Sequence, residues 1–182
     1  IGIWILRAAR DLRLKLFGYS LVVVGTGSVM IHASYTRIGE IADFLGIALV
    51  SGWFLCLQLT ARKPELFARA YWTLHAVSLA TLLLGSEWKY PLVYSINALW
   101  VAWLLFAPRD YKAPLPARGL ALGIGTIAVG FVLFQIDLKH LWCPETVWIQ
   151  GHVLWHLLGA VGNGILFTQV FRPTLEPSRA DT

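Results

Sequence analysis

Apolar runs of about 20 residues, close to the length that crosses a bilayer, recur along the chain between short polar stretches. The pattern predicts membrane-spanning helices at 16–36, 39–60, 67–86, 90–107, 118–137 and 147–170. Val-rich segments such as Leu21 to Val24 have strand propensity, but a lone strand in lipid leaves its backbone unpaired, so helix prevails. The opening stretch IGIWILRAAR is apolar and then basic, and reads as the end of an earlier apolar helix. A seventh span, whole or partial, is therefore expected at the N-terminus. A signal peptide fits poorly, because its basic residues should precede the apolar stretch.

The connections are short, with no repeat or low-complexity segment, so one transmembrane domain over 1–171 is expected. APRDYKAPLPAR, with three prolines, is the longest polar connector, and 172–182 is a polar tail. Trp72, Trp88, Trp142 and Trp148 fall near helix ends, where interfacial aromatics belong. Gly25 with Gly27, Gly119 with Gly123, and Gly159 with Gly162 are expected to let helices approach closely.

Composition agrees with this pattern. Of 182 residues, 57% are hydrophobic and only 14% charged, against roughly 25% charged in soluble domains. The net charge of +5 raises the question of nucleic acid, and its distribution answers it. Alternate connections hold Arg7, Arg10, Arg13 and Lys15; Arg62, Lys63 and Arg69; Arg109, Lys112 and Arg118; and Arg172 and Arg179. Those between hold only Arg37, Lys89 and Lys139. That alternation is the positive-inside pattern. It predicts a cytoplasmic C-terminus and no nucleic-acid partner. By the same topology Cys56 lies towards an inner helix end and Cys143 in an outer connection, so the two cannot pair.

The chemistry lies in polar residues placed where lipid makes them costly. Ser28 and His32 are four apart and share a helix face. His152 and His156, in QGHVLWHLLGA, repeat that spacing, by which one helix offers two nitrogens to one metal. Asp43 begins the span after His32. With the expected topology, His32 and Asp43 lie about 6–7 Å below the outer ends of their helices, and Ser28, His152 and His156 about 8–14 Å. All five are thus expected at similar depth in the outer half of the membrane.

Three histidines with a fourth position left for water describe a catalytic zinc site. A carboxylate beside it can move the water's proton, and a hydroxyl can donate to a developing oxyanion. Metal ligands His32, His152 and His156 with catalytic Ser28 and Asp43 make an inventory for metal-assisted hydrolysis of an amide or ester. Single intramembrane histidines more often make helix–helix hydrogen bonds, and it is the matched set that favours a metal. Ser28 alone suits packing as well as catalysis. His75, without a partner four residues away, reads as structural, and His140 as a solvated loop residue. Asn97 and Asn163 read as interhelical hydrogen-bonders, and Glu40 as a rim charge.

At these residues the chain resembles the alkaline ceramidases, within the superfamily that also holds the adiponectin receptors and haemolysin III-like proteins. The family pattern is serine, three residues, histidine, ten residues and aspartate, completed by His-x-x-x-His on the seventh helix. Here these are Ser28, His32, Asp43, His152 and His156. The receptor branch usually has a longer gap between histidine and aspartate. The resemblance implies a seven-helix bundle, one zinc held by the three histidines, and cleavage of the ceramide amide into a sphingoid base and a fatty acid. Two features depart from it. Phe44 stands where the family often has glutamate, and no acidic stretch matching the eukaryotic calcium site is present, so calcium regulation is not expected.

The expectation is therefore an all-α integral membrane lipid amide hydrolase with its site in the outer half, acting on ceramide or a related membrane lipid. Three rivals stand beside it: a hydrolase of another acyl lipid, a receptor-like protein with structural zinc, and a transporter using the polar cluster as a pathway. A pathway would need polar residues continuing into the inner half, where few occur beyond His75 and Asn97.

Overall fold

The computed structural model describes residues 1–108, 113–139, 141 and 150–176. His140, Trp142, Cys143, Trp148, the basic residues Arg109, Lys112 and Arg179, the start of the 147–170 span and the end of the tail lie outside the described residues. Among the described residues the chain is helical, without strands. The helices are α1 (Gly2–Ala8), α2 (Leu12–Ser34), α3 (Arg37–Leu59), α4 (Phe67–Leu84), α5 (Lys89–Phe106), α6 (Ala117–Leu138) and α7 (Gly151–Leu166). A π turn at Phe167–Phe171 and a short helix at Arg172–Leu175 prolong α7. Pro173 falls in the first turn of that last piece, where a missing N–H costs little.

Four helices are long and apolar enough to cross a membrane: Leu12–Ser34, Arg37–Leu59, Ala117–Leu138 and Gly151–Leu175. The helices expected at 67–86 and 90–107 exist as α4 and α5, each 18 residues long. Their Tyr, Trp, Ser, Thr, His and Asn residues leave them less apolar than the other four. At the N-terminus α1 is a helix of 7 residues, separated from α2 by a break at Ala9 to Asp11.

The chain divides into two compact units, Gly2–Ala113 and Pro114–Thr182 with Ile1. In the first, α2 and α3 form an antiparallel hairpin; α4 and α5 pack mainly on α3, and α1 packs on α2. Asp11 starts α2 by accepting from the Arg13 backbone N–H at 2.7 Å, and its carboxylate also takes the Arg13 guanidinium at 2.6 Å. Partial burial works to raise the Asp11 carboxyl, but the hydrogen bonds and charge of Arg13 outweigh it and hold it below the usual carboxylate range. The Trp53 indole donates to the Arg13 carbonyl at 2.6 Å and ties the start of α2 to the far part of α3.

Around Trp53 an aromatic core closes that end, with Phe17 at 4.8 Å and Phe67 at 5.9 Å between ring centroids. Beside it Ser20 Oγ and Tyr71 Oη share a buried hydrogen bond of 2.8 Å. A second core of Ala48, Leu55, Val93 and Ile96, flanked by Phe44 and Trp100, joins α3 to α5. Across it Asn97 Nδ2 donates to Ser51 Oγ at 3.1 Å, the interhelical bond expected of Asn97.

At the other end of the hairpin the turn is tight. Tyr35 adopts the left-handed conformation (φ 51°) and its N–H closes on the Ile31 carbonyl, while Thr36 caps α3 through the Gly39 N–H. Glu40, expected as a rim charge, is paired with both Arg37 and Lys89, and Arg37 also donates to the Leu82 carbonyl. One carboxylate thus ties α5 to α3, while Arg37 holds the end of α4.

In the second unit α6 and α7 form another hairpin. A Cβ on Gly123 would lie 2.5 Å from the Leu166 side chain, and one on Gly162 would lie 2.6 Å from Ile127 and 2.8 Å from the Gly123 carbonyl. These glycines set a close crossing, as their spacing predicts. Gly25 and Gly159 do not share that role, since each faces open space. Asn163 donates to the Gly159 carbonyl of its own helix rather than to a neighbour.

Candidate functional site

In the first unit, the α2–α3 hairpin carries Ser28, His32 and Asp43. Gly27 brings them close: a Cβ there would meet the Ala42 carbonyl carbon and the Asp43 backbone nitrogen, both at 2.4 Å. Only glycine lets the two backbones touch, and the touching point is the residue before Ser28 on one helix and Asp43 on the other. Gly46 against Val24 and Gly39 against Ile31 continue the seam on either side. Measured from their own helix ends at the Tyr35–Thr36 turn, Ser28 and Asp43 both lie about 10 Å along the axis, and His32 about 4–5 Å. His32 is exposed, Ser28 and Asp43 half-buried, and His32 and Asp43 interact electrostatically.

Ser28 differs from many of the hydroxyls on these helices, though not from Ser78, whose Oγ is also without a partner among the described residues. Ser20, Ser34, Thr60, Thr81, Thr126, Thr168 and Thr174 each bond the carbonyl four residues back. Ser28 makes no such bond among the described residues. A back-bonded hydroxyl has spent its only proton on the backbone. Ser28 retains its proton for another acceptor.

In the second unit, His152 and His156 stand one turn apart on α7 with ring centroids 4.8 Å from each other. His152 is half-buried and His156 exposed. The described helix begins at Gly151, so His152 lies in its first turn, and His156 lies about 9 Å along the axis. The two rings tilt by 37°. Imidazoles four residues apart on one face, at this separation, offer two nitrogens towards one ion.

Two residues that hydropathy did not single out support these groups. Asp137, on the last turn of α6, accepts from the His152 backbone N–H at 2.9 Å. Phe134, one turn earlier, meets the His152 ring edge-on, with centroids 5.0 Å apart and planes at 86°. No sequence signal pairs Asp137 with His152, which lies on the next helix and further along the chain. Phe44, in place of the family's glutamate, packs against Tyr90 at 5.3 Å with the Lys89 ammonium 5.2 Å from its ring centroid. It serves the α3–α5 contact.

His75, expected to be structural, has its Nδ1 buried without a hydrogen-bond partner, as does Ser78 Oγ one turn on. Cys56 is a buried free thiol. Asp43 and Ser28 beside His32 in one unit, and the His152–His156 pair in the other, are therefore the groups with chemistry to offer. No protein-family model, curated protein or solved structure matches the chain.

Proposed function

We propose that the chain is a seven-span, zinc-dependent hydrolase of lipid amides, of the alkaline ceramidase type, with ceramide or a related acyl lipid as substrate. His32, His152 and His156, the three histidines of the sequence pattern, would hold the metal ion. The observation that carries this reading is the His152–His156 pair on α7, with rings 4.8 Å apart on a helix long and apolar enough to lie in lipid. Imidazoles in an apolar helix are costly unless they have work to do.

The donor set fits zinc by its chemistry: three neutral nitrogens suit a tetrahedral ion and leave one position open. When bound, zinc supplies a Lewis acid for the amide carbonyl and lowers the pKa of water at the open position. Asp43, beside His32, takes a proton from the attacking water as its oxygen bonds to the carbonyl carbon. Ser28 Oγ donates its free proton to the oxygen that becomes negative. Asp43 then returns the proton to nitrogen as the C–N bond breaks, releasing a fatty acid and the amine of a sphingoid base. The C-terminus faces the cytoplasm, and the site opens laterally into the outer leaflet, within reach of a lipid amide.

The test is zinc content per chain in protein never exposed to chelator, wild type against His152→Ala, with ceramide hydrolysis assayed on the same samples. The expected result is about one zinc per chain in wild type, lost in the variant together with turnover. Zinc without turnover on any lipid amide or ester favours the receptor-like reading. Wild-type protein without zinc overturns the metal site.

A further inference from the structure

We propose that Asp137 is a positioning residue for the metal ligand His152, acting through the α7 backbone. The inference rests on the metal reading above. The first N–H groups of a helix have no partner within it. The residue preceding α7, Gln150, makes no side-chain cap bond. Asp137 supplies the missing acceptor from the neighbouring helix, its Oδ2 lying 2.9 Å from the His152 nitrogen. A carboxylate there also favours the positive end of the α7 dipole.

Three further contacts make this a seat for His152 and not a stray cap. A Cβ on Gly151 would lie 2.3 Å from the Leu133 carbonyl and 2.8 Å from Asp137 Cβ, so the chain enters α7 flush against the last turns of α6. Phe134 lies on the same side of α6 and meets the His152 ring edge-on, limiting its rotation. His156, one turn further, is 4.8 Å from that ring. The height of His152 on α7 is thus set by Asp137, and its ring plane by Phe134. A shift of α7 along its axis would carry both nitrogens away from any third ligand.

The acceptor, not the charge, is the working part, so the test separates them. Full-length protein in detergent is titrated with zinc against a competing fluorescent chelator. Asp137→Ala should weaken zinc about 10–100-fold, the range for losing a group that orients a ligand. Asp137→Asn, whose amide oxygen still accepts from the His152 N–H, should stay within about threefold of wild type. Should Asp137→Ala not fold, Asp137→Ser, polar but one bond too short to reach, should show the same loss.

Wild-type affinity in Asp137→Ala or Asp137→Ser overturns the inference. So does an Asp137→Asn variant as weak as the truncations, which would make charge the effective element. Wild-type protein that binds no zinc defeats the metal reading itself, and is distinguished by the first titration.

Discussion

At the scale of single residues, Asp43 is the group on which hydrolysis would turn. It is half-buried, it interacts with His32, and the Gly27 seam holds its backbone against α2. Asp43→Asn keeps shape and volume but removes the basic oxygen. Zinc content should stay at the wild-type level while hydrolysis falls by about 10²–10⁴, the usual worth of a positioned acid–base group. Metal content and turnover measured on the same preparation decide the matter, and full turnover in the variant removes Asp43 from the mechanism. Ser28, His32, Asp43, His152 and His156 stood out in the sequence as candidates because each is expensive where hydropathy puts it. The pairings of Asp137 and Glu40 did not. Each residue stands near a helix end, where a charge looks like ordinary solvation, and their partners His152 and Lys89 are distant in sequence.

At the scale of elements, hydropathy placed the helices within a few residues and misjudged some of their ends for a physical reason. It marks what lipid will accept, whereas the helix itself is set by capping. The α2 helix begins at Leu12 instead of 16 because Asp11 caps a turn that contains Arg13 and Lys15. Small residues were legible as a class, but which of them face a neighbour was not. Gly25 and Gly27 are two residues apart, so on a helix they point in different directions. Only Gly27 meets the Ala42–Asp43 backbone.

That contrast makes a matched experiment. Gly25→Ala, with nothing within 4 Å of the new methyl, should keep hydrolysis and hold or slightly raise stability, because alanine favours helix by about 1 kcal/mol. Gly27→Ala must force the helices apart. It should destabilise by about 1–3 kcal/mol, the range for overpacking, and lower turnover more than the fraction folded. Thermal unfolding in detergent beside activity reads both. Equal behaviour of the two variants would mean that the α2–α3 seam does not depend on backbone contact at Gly27.

At the scale of the whole molecule, the surface agrees with a membrane, and the charges motivate the proposed orientation in it. Val153, Leu157 and Val161, at four-residue intervals on α7, are 44%, 58% and 54% exposed. Phe106 and Leu84 are among the most exposed apolar side chains, at 83% and 78%. Water would not tolerate such stripes over several helices, whereas lipid requires them. The basic residues of alternate connections are the ground for the proposed direction. On the poorer side two of the three, Arg37 and Lys89, share one carboxylate, Glu40, which offsets one of their two charges. That leaves the Tyr35 turn with a net charge of about +1 from these three groups, while Arg62 and Lys63 mark the opposite end of α3.

The orientation can be read with single cysteines in a background where Cys56 and Cys143 are serine. Tyr35→Cys, at an exposed turn position, should react with a membrane-impermeant maleimide in intact cells. Arg62→Cys, also exposed, should react only after the membrane is opened. The reverse pattern would put Ser28, His32 and Asp43 in the cytoplasmic half, and the substrate would then have to be sought in the inner leaflet. Labelling of both in intact cells would mean that α3 does not cross the membrane, and the depth argument that groups the five polar residues would fall with it.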